Sequence, residues 1–316
     1  MPVNTFGPRL EAFIGLCTGA YHLSKRQMEE LLSTTFNIPI SLGSICNIEQ
    51  RVSAAIAAPV AEAQTHVQQA KVANADETSW PQQPNKHWLW VAMTAHLAVF
   101  AIHNNRDRAS AEQLLGPSFA GVLGTDRYSS YDWVKRRQLC WAHLRRDWQA
   151  FIDRGGTSAR LGQRLLAQTD TMFRLWHRVR DGTMPRWLFY FHMIDVRKEV
   201  DVCLREGLNC SHPRTAGTCA NVLEKEDALW TFVDVKGIEP TNNAAERILR
   251  QAVLWRKKSF GTRSSAGSRY VERLLSVVAT CRLQGRNVLE YLTAACQAAV
   301  RQKPPPSLVP PVPGKP

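Results

Sequence analysis

Between Lys71 and Ala142 the sequence leaves helical spacing for short runs rich in β-branched and aromatic residues, and this interval most constrains the fold. Lys71 to Ala75 reads as a strand leading to Asp76. His87 to Met93 and His96 to His103 are two further strand-like runs, close enough to pair as a hairpin, with Trp88 and Trp90 on one strand face. Arg106 to Leu115 reads as a short helix, Gly121 to Thr125 as a buried strand ending at Asp126, and Gln138 to Ala142 as another strand. Strands interleaved with helices and flanked by helical sequence specify a mixed α/β core.

The first seventy residues are helical in pattern. Leu10, Phe13, Ile14 and Cys17 share a face over Pro8 to Ala20, and Ser24 with Gln27 has the form of a capping box opening a helix to about Thr35. Pro39 disfavours helical geometry at Ile38. Ser41 then caps a helix with Ile45, Ile48, Val52 and Ile56 on one side. Helix, tight turn, helix fits a DNA-reading pair exposing Ser44, Asn47, Gln50 and Arg51. It equally fits a helical hairpin that packs on the core or on a second subunit.

Residues 144–236 return to helical character, with Leu161, Leu165, Leu166, Met172, Phe173, Leu175 and Trp176 among the apolar positions. Beyond them come Glu246, the basic run Trp255-Arg256-Lys257-Lys258, and helices expected over Ser268 to Gln284 and Val288 to Gln302. From Pro304 the chain is proline-rich and reads as extended or disordered.

The formal charge is +13 with a pI near 9.7, which favours a polyanionic partner. Most of the excess lies between Arg247 and Lys303, where twelve basic residues face only Glu272 and Glu290. The eight cysteines are scattered without a CxxC pair, and neither a secretory signal nor an apolar run of about twenty residues occurs, so a reducing cytoplasm without membrane contact is expected. Cys140 with His143, and Cys203, Cys210, His212 and Cys219, are zinc-type side chains, but neither set has the intervals of a knuckle or ribbon; packing is the plainer role.

Three carboxylates sit where an element ends or begins: Asp76, Asp126 and Glu246. Each has an ordinary explanation, as a turn residue for Asp76, a cap for Asp126, and the third helical position behind an Asn243 cap for Glu246. If they converge, they form a site for phosphodiester chemistry. Two divalent ions about 3.5–4 Å apart can activate the nucleophile and stabilise the leaving oxygen. Mg²⁺ asks for hard oxygen ligands, which carboxylates and phosphate supply. Arg247, Arg250, Arg256, Lys257 and Lys258 near Glu246 would hold phosphates, with His143, Arg145, Arg146, Asn242 and Asn243 as further contacts. Most of the ten tryptophans belong in a core; Trp255, beside Arg256 and Lys257, is the one best placed to face DNA.

Four stretches carry a family resemblance: Asp76-Glu77-Thr78; Gly121 to Tyr128 with Tyr131; Cys140-Trp141-Ala142-His143-Leu144-Arg145-Arg146; and Glu239-Pro240-Thr241-Asn242-Asn243-Ala244-Ala245-Glu246-Arg247. With Trp255 to Gly261, they resemble the insertion-sequence-66 family of DDE transposases. The resemblance spans about Phe6 to Pro311. It implies an RNase H-like mixed-sheet core split by a helical insertion, with helical regions before and after. Asp76, Asp126 and Glu246 would be the catalytic, metal-binding triad, served by two Mg²⁺ ions for which Mn²⁺ can substitute. The implied activity is cleavage of DNA at transposon ends and strand transfer into target DNA.

On that basis residues 1–70 are a helical region able to form a helix-turn-helix, 71–143 the first part of the core, 144–236 the insertion, 237–303 the glutamate-bearing and basic helices, and 304–316 the tail. Expected partners are transposon-end and target DNA, a second copy of the chain in a synaptic complex, and accessory transposition proteins. Longer relatives carry a cysteine-rich region and a coiled coil that are not visible before Phe6. The alternative expectation is therefore a truncated, inactive DNA-binding remnant that regulates transposition.

Overall fold

The structure, a computed structural model, describes residues 6–311. In chain order its elements are α1 (Pro8–Gly19), α2 (Lys25–Phe36), α3 (Leu42–Ala55), α4 (Ala57–Gln68), β1 (Val72–Gln82), β2 (Asn85–Met93), β3 (Ala98–His103), α5 (Arg108–Leu115), β4 (Val122–Thr125) and β5 (Arg137–Leu139). Eight helices follow: α6 (Trp141–Asp153), α7 (Gly156–Arg180), α8 (Arg186–Leu208), α9 (Pro213–Leu223), α10 (Thr231–Asp234), α11 (Asn243–Ser259), α12 (Ser265–Leu283) and α13 (Val288–Val300). The class is mixed α/β. The chain divides into two compact units, residues 1–121 with 129–133 and 244–316, and residues 122–128 with 134–243.

In the first unit the local signals act as written. Ser24 and Gln27 close a capping box at α2, and the Ser41 hydroxyl accepts the Ser44 N–H at 3.1 Å to start α3. Ile45, Ile48 and Val52 are buried on one face of α3, where the helix meets α1 and α12. β1, β2 and β3 form an antiparallel meander with Asp76 opposite Val91 and Trp90 opposite Ala101. One expectation needs correction. β1 does not end before Asp76 but continues to Gln82, because the two-residue connection after it lets β2 pair along its whole length. Asp76 thus lies inside a strand whose alternation buries Ala73, Ala75 and Glu77 and leaves Asn74 and Asp76 half-exposed on the other face.

The side chain of Glu77 is about 1% exposed. Its Oε1 accepts Arg106 Nε at 2.9 Å and Nη2 at 2.6 Å, and its Oε2 accepts the Tyr131 hydroxyl. Arg106 was expected to open the helix; instead Asp107 caps α5 through the Ser110 N–H, releasing Arg106 to reach Glu77.

α12 lies along β3, which stands at one end of the strand order. Glu272, Ser276 and Thr280, one turn apart, accept the backbone N–H groups of Ile102, Phe100 and Ala98 at 2.6, 2.9 and 3.0 Å. The proline-rich segment is also tethered, contrary to its composition. Tyr291 donates to the Pro306 carbonyl, Gln284 to that of Leu308, and Leu308 is fully buried. Residues 312–316 lie outside the described residues.

In the second unit β4 and β5 are parallel, with Gly124 opposite Gln138. The expected strand over Gln138 to Ala142 is shorter, since α6 begins at Trp141 behind Cys140. α6 and α7 approach closely at Gly162, where a Cβ would meet the Trp148 carbonyl oxygen at 2.6 Å. Trp176, Phe189 and Phe232 form an aromatic core with ring centroids 5.3–6.0 Å apart. Buried Gln138 takes the Phe232 N–H and donates to the Leu229 carbonyl, so a side chain of β5 holds the segment before and within α10.

Burial raises the Glu272 carboxyl to about 7. The folded protein then keeps a proton that the unfolded chain gives up near 4.5, so this group's contribution to stability is present below about 4.5 and lost as pH rises towards about 7. Glu272→Gln keeps an acceptor for Ile102. It is expected to flatten the stability profile between those pH values and to raise the urea midpoint at pH 8, as followed by circular dichroism.

Candidate functional site

Asp126 is delivered by β4, four residues all buried, of which Thr125 ends beneath the surface. Its carboxylate accepts the Tyr128 N–H at 2.9 Å, the turn bond an Asp commonly makes after a strand. Its carbonyl accepts Arg137 Nη2 at 2.9 Å, and the same nitrogen donates to the Thr125 hydroxyl at 3.0 Å. Arg137 is 6% exposed. A buried guanidinium from β5 therefore fixes the backbone that carries the acid.

Three of the stretches singled out in the sequence meet in this unit. The Cys140 N–H donates to the Thr125 carbonyl at 2.9 Å, the Trp141 N–H to the Pro240 carbonyl at 2.9 Å, and the Asn242 N–H to Cys140 Sγ at 3.2 Å. Cys140 is buried, with its N–H on the Thr125 carbonyl and its sulfur accepting the Asn242 N–H. Asn242 is 1% exposed and precedes α11, which starts at Asn243, so Glu246 sits one position deeper in the first turn than its spacing from an Asn243 cap suggested. Asp76 and Glu246 belong to the first unit and Asp126 to the second.

Around Asp126 opens a cleft of about 390 Å³ lined by Arg127, Tyr128, His143, Arg146 and Asp147. Arg127 is held by Asp147 at 2.5 Å and by Asn221 Oδ1 at 3.1 Å. Burial pushes the Asp147 carboxyl up, against the opposing pull of Arg127 and neighbouring cations. A carboxylate at a strand end, a fixed arginine and the exposed charge of Arg146 are groups suited to holding a metal ion and a phosphate together.

The basic residues divide sharply. Arg247, Arg250, Lys257 and Lys258 are exposed on α11, and Arg145 and Arg146 on α6, where Arg145 pairs with exposed Asp170 at 3.1 Å. Arg256 instead reaches β1, donating to the Thr78 hydroxyl at 3.0 Å and to the Ser79 hydroxyl at 2.6 Å, which makes it a tie within the first unit. Trp255 does not face solvent. It is 8% exposed, stacked on His22 at 5.2 Å and edge-on to Trp80 and Tyr270, because α11 turns its apolar stripe of Ala245, Leu249, Ala252 and Trp255 inward.

Of the helix-pair residues, Asn47 and Gln50 are exposed, Ser44 sits in the first turn of α3, and Arg51 is engaged by buried Glu11 of α1 at 2.6 Å. Cys203, Cys210, His212 and Cys219 do not bring three ligand atoms within 4.8 Å of one another. Cys219 packs on Gly207, where a Cβ would meet its sulfur at 2.3 Å. Sequence reasoning missed Arg137 and the partners of Glu77. The period-two pattern of β1 does mark Glu77 as inward, but nothing local names Arg106 or Tyr131 as its answer.

The chain is of mixed α/β class and presents a strand-end carboxylate, Asp126, beside Arg127 and Arg146. The sequence profile of the Transposase IS66 family matches residues 4–270, and the chain belongs to that family. It is also similar to Uncharacterized protein y4qI of Sinorhizobium fredii (strain NBRC 101917 / NGR234), with 24% identity over 257 residues that cover 69% of this chain and 46% of that protein. The chain thus spans about half the length of the curated relative it matches. Among the described residues no helix is long and apolar enough to cross a membrane.

Trp255→Ala is expected to cost about 3 kcal/mol through loss of its packing, read in urea or thermal unfolding. An unchanged midpoint would return Trp255 to the list of surface residues.

Proposed function

We propose that the chain is a DDE-type transposase that cleaves DNA at transposon ends and joins the freed 3′ hydroxyl to target DNA. The observation that carries this reading is the seating of Asp126, braced by Arg137 and opening into a cleft with Arg127 and Arg146, in a chain of the IS66 transposase family. The antiparallel meander of β1 to β3, followed through α5 by the parallel pair β4 and β5, supports an RNase H-like core with α6 to α10 as its insertion.

Asp76, Asp126 and Glu246 would hold two Mg²⁺ ions, and Mn²⁺ could replace them. All three present carboxylate oxygens, the hard donors these ions require, and the Asp126 cleft has room for an ion with its waters. When bound, the ions supply charge neutralisation on the scissile phosphate and an activated oxygen nucleophile. Arg127 and Arg146 would bind phosphate oxygens beside Asp126, and Asp147 would keep Arg127 aimed. Arg247, Arg250, Lys257 and Lys258 would hold the DNA backbone through exposed cations on one helix, at a geometry set by α11 rather than by a loop. Paired cutting of two ends calls for two or more copies of the chain around them.

Asp126→Asn should leave the fold and DNA affinity in place and lower nicking of labelled terminal DNA in Mg²⁺ or Mn²⁺ by at least about a hundredfold, since loss of mere second-layer partners of a metal already costs up to that. Wild-type protein that shifts this DNA without nicking it would instead identify a binding remnant. Replacing Lys257 and Lys258 with Ala should reduce the slope of log affinity against log salt by about 2, at roughly one per phosphate contact, whereas Arg256→Ala should leave the slope alone and weaken the fold. Filter binding over a salt series, with unfolding curves for each variant, separates the two classes of cation.

A further inference from the structure

A second hollow in the same unit, about 870 Å³, runs along α6 and α7 beside Thr241 and Asn243. It shares Arg146 with the Asp126 cleft but adds apolar surface, from Leu166 and Phe173, that the cleft lacks. α7 has two stripes: Leu161, Leu165, Thr169, Met172 and Trp176 are buried, while Leu166, Asp170, Phe173, Arg174 and His177, recurring every three or four residues, line the hollow. Leu166 and Phe173 are half-buried within it, and Arg174, His177, Arg145 and Arg146 stand exposed around them. Phe173 and His177, one turn apart, set their rings 6.5 Å from each other at 38°. The acid among the lining residues, Asp170, already serves as counter-ion to Arg145.

Cations alone would suit any phosphate backbone. Ring and aliphatic surface set below those cations would gain nothing from a duplex, whose bases turn their faces to one another. Both features are used together by an unpaired strand, which offers phosphates along its length and open base faces between them. We infer that this groove binds single-stranded DNA, with bases against Phe173 and His177 and phosphates at Arg145, Arg146 and Arg174. The inference rests on the DNA-processing function proposed above and adds a substrate form to it: a strand opened from the duplex beside the cutting site.

The test is fluorescence anisotropy with a labelled oligothymidylate and with a blunt duplex of the same length at one fixed salt concentration. Phe173→Leu keeps the apolar volume and removes the ring; His177→Ala changes an exposed side chain and spares the core. Each should weaken oligothymidylate binding roughly tenfold, the scale of one lost base stack, and move duplex affinity by less than about twofold. Equal losses on both DNAs, or no loss on either, would overturn the inference, as would wild-type protein that binds the duplex alone; that last result leaves the transposase reading standing. Wild-type protein that binds neither DNA removes the transposase reading together with this groove's role.

Discussion

A carboxylate withdrawn from water must be met by a cation and by hydrogen bonds, and in this chain the demand is set by Glu77. Its answer comes from two places that the sequence keeps apart, Arg106 before α5 and Tyr131 in the turn after β4. Because strand residues alternate, drawing Glu77 inward fixes the opposite face for Asp76. A slip of one residue along β1 would bury Asp76 and expose Glu77. The orientation of a proposed metal ligand therefore depends on a salt bridge made by its neighbour.

The second unit solves a related problem with backbone groups. Strand β4 ends at Thr125, whose carbonyl takes the Cys140 N–H, and nearby backbone groups find partners outside the strands: Asp126 with the Arg137 side chain, Pro240 with Trp141. Loops that approach the interior need such side-chain or irregular partners for every polar group. Here those partners also set the start of α6 and the approach to α11, so the backbone accounting of the site and its geometry have one cause.

Legibility in the sequence followed the range of the forces involved. Capping residues act over three or four positions, and Ser24 with Gln27, Ser41 and the apolar spacing of α3 were readable as they stand. The position of Asp126 directly after a short buried strand was readable too, since an apolar run closed by a turn-forming residue marks a strand end. Reading failed where a distant partner decided the outcome. Trp255 and Arg256 sit in a basic run and look like surface, yet His22 and Thr78, far away in the sequence, draw them in. The tail has a disordered composition, but Gln284, Arg286 and Tyr291 supply donors to its carbonyls.

The alignment of Glu272, Ser276 and Thr280 with β3 has a consequence for the whole molecule in a crowded solution. A border strand with free amides invites a passing chain to add itself, the first step towards aggregates. Along β3 the alternate amides that such a visitor would seek are already claimed by a helix whose hydroxyls and carboxyl repeat at the strand's own rhythm. The meander is closed to recruitment along β3 by α12 of the same chain, whose side chains take the bonds an added strand would need.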